Sequence, residues 1–342
     1  MKKSLIALAI LGAASGAALA QSSVTLFGVA DFAYGKAKSM GDKKSHAQSG
    51  SIVNSGGGSE LGFTGREDLG GGWSAGFMFS TELDLRNGAT NTGAAGTTWN
   101  RSAWVSIGND KLGTFTLGRN YSPGFMGQVV YELTHWSYYS ALAATFGFGG
   151  NPQPRNSSQI KYSSPSFGGL STEIAYVAKD DADPRDNGTL GESSRWALNV
   201  VYNQGPIKAA ITADKASHGA TGAPNANKTN WTIGGSYTFN NMFAVSASYN
   251  RTHSAQHWQG ELGPRYGARR YGWELGASFF TGPYTVTLDL TRDTKNDLYG
   301  GKKYTNGVLE GRYALSKRTY LYGAFLRLDG DNNYGLGIHH SF

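Results

Sequence analysis

The side chains able to do chemistry do not converge. Gly72-Trp73-Ser74-Ala75-Gly76 matches the pattern that sets a nucleophilic serine on a strained strand-to-helix turn. Ser74, however, opens a run of alternating apolar and polar residues with no helix after it, so the match reads as chance. Asp180, Asp181, Asp183 and Asp186 crowd one polar stretch. Hard oxygen ligands suit Ca²⁺, but the spacing lacks the register of an EF-hand and reads as a solvated loop. His339 and His340 are adjacent, so in a strand they point to opposite faces and cannot share a ligand. With no cysteine there is neither a disulfide nor a thiolate metal site. No base stands beside a nucleophile. An enzyme is not the reading, and no cofactor or metal is implied.

One stretch has a different character. Asn120 to Arg155 carries Tyr121, Phe125, Tyr131, Trp136, Tyr138, Tyr139, Phe146 and Phe148, with neither a clean strand alternation nor a capped helix. A long unpatterned connection is functional or disordered, and disordered segments are poor in aromatics. An ordered loop folded against something else is expected.

The remaining chain alternates with period 2. Val24 to Tyr34, Ser59 to Glu67, Trp73 to Asp84, Trp99 to Ile107 and Thr114 to Arg119 read as strands before the loop. After it come Ser157–Ser164, Leu170–Lys179, Arg195–Asn203, Ile207–Ala216, Asn230–Phe239, Met242–Arg251, Arg270–Phe280, Tyr284–Thr294, Tyr304–Leu315, Thr319–Leu328 and Tyr334–Phe342. Short turns such as Asn240-Asn241 and Thr281-Gly282-Pro283 interleave with long polar connections such as Thr252 to Arg269. The pattern predicts seven short turns on one side and eight long loops on the other, the layout of a 16-stranded antiparallel transmembrane β-barrel. A closed barrel has no edge strand and satisfies every backbone group inside lipid.

Residues 1–20 have a basic start (Lys2, Lys3), an apolar run from Leu5 to Leu11 and a small-residue end at Ala18-Leu19-Ala20, which reads as a secretory signal peptide cut before Gln21. Residues 21–342 are then one barrel domain. Gly at 49 residues, with 19 Tyr, 16 Phe and eight Trp, suits tight turns and interfacial aromatic belts. The formal charge of +7 could suggest nucleic acid, but the charges are dispersed and an exported chain meets no genome.

Several motifs carry a family resemblance. Ser22 to Gly28, LGFTGREDLGGG (Leu61 to Gly72), Asn100-Arg101, GTFTLGRN (Gly113 to Asn120), RNSSQIKYSSPSFGG (Arg155 to Gly169), LSKRTYLYGAF (Leu315 to Phe325) and the closing GLGIHHSF resemble, in order, the general porins of Gram-negative β-proteobacteria. The resemblance implies a homotrimer of barrels in the cell outer membrane, in contact with lipopolysaccharide and phospholipid. Each barrel would be a water-filled channel for passive diffusion of ions and small hydrophilic solutes, narrowed by the third extracellular loop, here Asn120 to Arg155. Phe342, with Tyr334, Leu336, Ile338 and His340 on its face, resembles the signal read by the barrel-assembly machinery.

The family's wall arginines imply anion preference, and Arg101 and Arg155 occupy matching motif positions. Arg119 is a further candidate. Guanidinium stays charged at every relevant pH and offers several donors to an anion that sheds part of its water. Glu132 on the loop and Glu60 supply the opposite sign. Glu60 stands where the family motif places an arginine, so the expected preference for anions is weak. A substrate-specific channel for a small anion or sugar and a loop-mediated adhesin are the alternatives.

Overall fold

The computed structural model describes residues 23–38, 44–50, 52, 58–90, 98–149, 154–178, 192–218, 229–253 and 268–342. The leader reading and the Asp180–Asp186 stretch lie outside the described residues.

Alternation builds the wall. The long strands are β1 (Ser23–Lys36), β2 (Ser59–Gly70), β3 (Trp73–Asp84), β4 (Ser102–Asn109), β5 (Gly113–Tyr121), β6 (Arg155–Ser163), β7 (Leu170–Val177) and β8 (Glu192–Gln204). They continue as β9 (Ile207–His218), β10 (Asn230–Phe239), β11 (Phe243–Thr252), β12 (Arg270–Thr281), β13 (Tyr284–Asn296), β14 (Thr305–Ala314), β15 (Thr319–Leu328) and β16 (Asp331–Ser341). Each pairs antiparallel with the next, and β16 returns to β1, giving a closed 16-stranded barrel. Two short strands, His46–Ser49 and Ala89–Thr90, add to β1 and β3 outside that count.

The two faces are inverted relative to a water-soluble protein. Trp273 and Leu275 are 55% and 61% exposed, whereas Glu274 between them is 1% exposed. Asn199 and Thr232 are likewise buried while Leu198 and Ile233 are exposed. An apolar outer belt around a polar interior is what a lipid-embedded barrel requires.

The seam that closes the barrel is specific. Asp31 stands opposite His339 across β1 and β16. Its carboxylate takes His339 Nδ1 at 2.9 Å and also accepts from the Tyr322 hydroxyl. Phe342 extends the ladder: its N–H donates to Gly28 O at 3.0 Å, and its carbonyl accepts from Gly28 N–H at 3.2 Å. The Phe342 ring lies over Gly28, where a Cβ would strike it.

Two expectations are corrected. The last connection is not a long loop: Asp329 and Gly330 alone join β15 to β16, with φ of 52° and 96°. Positive φ at both positions is the two-residue hairpin geometry that Asp-Gly favours. The aromatic stretch also contains two capped helices, α1 (Pro123–Tyr131) and α2 (Ala141–Phe146). Ser122 Oγ accepts from Phe125 N–H and Ser140 Oγ from Ala143 N–H, both at 3.2 Å, and Pro123 sits where a missing N–H costs nothing. All of α2 and most of α1 is buried, so neither carries the polar stripe by which a surface helix is recognised.

Candidate functional site

The loop between β5 and β6 is tied at its neck and along its length. Tyr121 and Arg155 are register partners at the neck. The Arg155 guanidinium lies 4.1 Å from the Tyr121 ring centroid and donates to its hydroxyl. Tyr121 stacks on Phe125 at 4.5 Å, and Phe125 packs on Trp136 and Phe148, so the aromatics form the loop's own small core.

Beyond the neck, the loop binds the polar face of distant strands. Asn199 of β8 donates to Pro123 O at 2.9 Å, and Gln128 donates to Asn250 of β11 at 3.4 Å. Leu142 N–H reaches Asp289 of β13 at 3.3 Å, and Thr145 bonds Thr291 at 2.9 Å and Asn306 of β14 at 2.9 Å. Gly127 lies so close to Thr212 and Asn199 that no side chain fits there. These wall residues belong to the face opposite the exposed apolar belt.

The sequence candidates separate once placed. Arg101 and Glu60 come together: Arg101 Nε is 3.0 Å from Glu60 Oε2, and the side chains are 8% and 16% exposed. Arg155 is 8% exposed, its Nε has no partner, and no carboxylate lies within ion-pairing distance of it among the described residues. Arg119 shares the parity of Phe115 and Leu117, which are exposed on the apolar side. It donates to Asn100 O at 2.7 Å and Ser157 Oγ at 2.8 Å, which ties β5 to its neighbours, and its charge acts on Arg155.

Glu132 does not face the arginines either. It is 2% exposed, and both carboxylate oxygens turn into the loop, accepting from the Thr134 hydroxyl, from Ser140 Oγ at 3.0 Å and from Trp136 N–H at 3.0 Å. Burial pushes its carboxyl up from the ordinary value, against the pull of those donors.

Other wall groups were missed. Glu82 is the register partner of Glu60. Lys161 pairs with Glu173 at 3.0 Å, and Arg195 with Asp214 at 3.9 Å. Lys208 and Arg312 share the inward parity of Thr212 and Glu310 and have no carboxylate within ion-pairing distance among the described residues. Both approach His135 on the loop, whose ring is brought down to about 4, by crowding within the barrel first and then by these two cations. Strand parity alone could have marked Glu82, Lys208 and Arg312.

At the strand ends named above, Tyr334, Leu336 and Ile338 are exposed on the outer face, and His340 Nδ1 bonds Thr319 Oγ1 at 2.9 Å. Ser74 lies within β3 with a turn before it and no helix after it, so the serine motif has no elbow.

A closed barrel of this size, polar within and apolar without, defines an outer-membrane channel-forming protein rather than an enzyme. The family model for Gram-negative porins matches residues 7–333, and the chain belongs to that family. It is 32% identical to Outer membrane porin protein 32 of Delftia acidovorans, over 98% of this chain and 92% of that one. It is 26% identical to an outer membrane porin protein of Bordetella pertussis, over 100% of both. Among solved structures it is similar to the anion-selective porin from Comamonas acidovorans, with a TM-score of 0.71, 24% identity, 94% of this chain covered and 100% of that one. The protein is an outer-membrane porin, a passive channel.

Proposed function

We propose that the loop carrying α1 and α2 narrows the channel, and that Arg101, Arg155 and Glu60 set its ion preference, which is weakly for anions. The carrying observation is the unequal state of the two arginines. Arg101 is ion-paired with Glu60 at 3.0 Å, whereas no carboxylate lies within ion-pairing distance of Arg155 among the described residues. One wall cation is largely neutralised and one is left for a passing anion. The structural neighbour from Comamonas acidovorans is itself an anion-selective porin, which supports the same sign.

The channel carries ions and small hydrophilic solutes without a dedicated substrate site. The mature protein begins at Gln21, assembles as a homotrimer with its apolar belt in outer-membrane lipid, and is inserted by the barrel-assembly machinery through its closing strand and Phe342. A structural neighbour, an outer membrane protein of Vibrio cholerae in its trimer form, supports the oligomer. Single-channel recording in asymmetric salt tests the reading: conductance should appear in steps of three, with a reversal potential displaced modestly toward the anion. A reversal potential displaced toward the cation would overturn the assignment of Arg155.

A further inference from the structure

On the side of the loop that faces the short turns, which in such barrels are periplasmic, two wall cations stand without an acid beside them. Lys208 is the second residue of β9, and Arg312 lies two residues before the end of β14. The register partners of Lys208 are Asn203 and Ser236, and those of Arg312 are Thr285 and Tyr322, none of them an acid or a base at neutral pH. Arg312 donates to Thr285 Oγ1 at 3.3 Å and lies 5.1 Å from the Tyr320 ring centroid, so it is held along the wall. Glu310, the acid nearest to it on its strand, is 5% exposed and buried beneath the loop beside Ser137.

The loop sends one side chain toward both. Ser137 N–H donates to Thr134 O at 3.2 Å, and His135 and Trp136 inside that turn have φ of 50° and 62°. Gly, Asn and Asp are the usual residues where both central positions are left-handed, and a bulky side chain there is an outlier. Packing holds the strain. The Trp136 ring lies 4.7 Å from that of Phe125 and 5.3 Å from that of Phe148, and its backbone N–H donates to the buried Glu132 carboxylate at 3.0 Å. With Trp136 pinned inward, His135 is left exposed, and the charges of Arg312 and Lys208 both act on its ring. Backbone strain of this kind persists where the surroundings over-determine it, and ligand clamps are among those places.

We propose that His135, Lys208 and Arg312 form an anion station on the periplasmic side of the loop, which holds an elongated anion carrying more than one phosphate group. The two wall cations stand five strands apart, about 24 Å along the wall at about 4.8 Å per strand, and approach one imidazole from two sides. A compact anion meets one of them at a time, whereas a chain of phosphates meets both. Guanidinium gives phosphate paired, charge-assisted donors, and the phosphate keeps a further oxygen for the imidazole or the ammonium, which a carboxylate lacks. Smaller solutes are not excluded, so the channel stays general. The inference rests on the barrel being a channel and not on the roles of Arg101, Arg155 and Glu60.

Isothermal titration calorimetry of the folded protein in detergent, with inorganic tripolyphosphate, orthophosphate and citrate as probes, tests it. The wild type should bind tripolyphosphate roughly tenfold more tightly than either of the others. A double variant, Lys208→Gln with Arg312→Gln, should lose roughly tenfold in tripolyphosphate affinity and abolish the preference, with strand content by circular dichroism unchanged. His135→Gly suits the left-handed backbone, so it should fold, and it should weaken the same binding. Wild-type tripolyphosphate affinity in both variants would overturn the proposal, and citrate binding as tight as tripolyphosphate would overturn the assignment to phosphate. A loss confined to Arg155→Ala would overturn it too, by placing the bound anion at the constriction. Arg155→Ala should instead keep the wild-type tripolyphosphate affinity while moving the reversal potential, so the station and the constriction fail separately.

Discussion

Glu60 and Glu82 face each other directly across the β2–β3 ladder, and Arg101 Nε lies 3.0 Å from Glu60 Oε2. Like charges opposite one another weaken a sheet pair by a few tenths of a kcal/mol to about 1 kcal/mol. Arg101 offsets this, its Nη1 approaching Glu82 across Gly58. The wall cation of the sequence reading is thus the counter-charge of two carboxylates.

The first prediction follows from this pairing. Glu60→Arg should move the reversal potential in a salt gradient toward stronger anion selectivity, and Glu82→Gln should move it the same way by less. At 0.1 M salt the screening length is about 10 Å, and at 1 M about 3 Å, so both shifts should shrink at molar salt. An unmoved reversal potential in Glu60→Arg at 0.1 M salt would place Glu60 off the ion path.

Arg155→Ala should move the reversal potential toward cations. Two unit charges about 4 Å apart interact by about 1 kcal/mol in water and about 4 kcal/mol at an effective dielectric near 20. Since about 1.4 kcal/mol is tenfold, one wall charge is enough to register. The same substitution frees the Tyr121 hydroxyl, so Tyr121→Phe is the control: it should leave ion preference nearly unchanged while loosening the loop neck.

Gly127→Leu tests how the loop is held. A Cβ there would lie 2.5 Å from Thr212 Cγ2 and 3.2 Å from Asn199 Cβ. Overpacking of this kind costs about 1–3 kcal/mol, which should lift α1 from the wall. Single-channel conductance should change, with strand content by circular dichroism intact. Removing Gly127 to Gly147 should raise conductance outright; an unchanged value would put the loop outside the ion path.

Glu132 predicts a pH dependence. Its folded carboxyl titrates above the ordinary 4.5 because it is buried. The folded state therefore holds the proton longer than the unfolded chain does. Stability from this group is fully present below about 4.5 and is lost as pH rises through the raised folded value. Glu132→Gln should flatten that component of the thermal midpoint measured from pH 4 to 8, and identical pH profiles for the two proteins would count against it.

At the seam, deleting Phe342 removes two backbone hydrogen bonds to Gly28 and the ring that covers it. The yield of heat-modifiable barrel in the outer membrane should fall sharply. Wild-type yield would show that β16 closes on β1 without its last residue.

Strand number and orientation were legible because they follow from local rules. Trp273, Glu274 and Leu275 must take opposite sides of a pleat, and in lipid the apolar side must face outward. The Asp329-Gly330 hairpin was equally local, yet the weak alternation around it made it pass for a longer loop. The loop helices were hidden for a physical reason. Buried on nearly all sides, α1 and α2 had no need of a polar face, and only the serines that cap them left a mark. What the sequence could not settle is which charges meet. Glu60, Glu82 and Arg101 lie on three separate segments, and their meeting depends on register and on a loop entry that no local pattern encodes. Glu132 was read as a charge facing the arginines because its type is polar; the tertiary structure turned it inward, where the Thr134, Ser140 and Trp136 donors satisfy it. Composition and periodicity determined the barrel, because lipid acts on every residue alike. The electrostatics of its interior were decided only when closure of the sheet brought residues far apart in sequence to within a few ångströms.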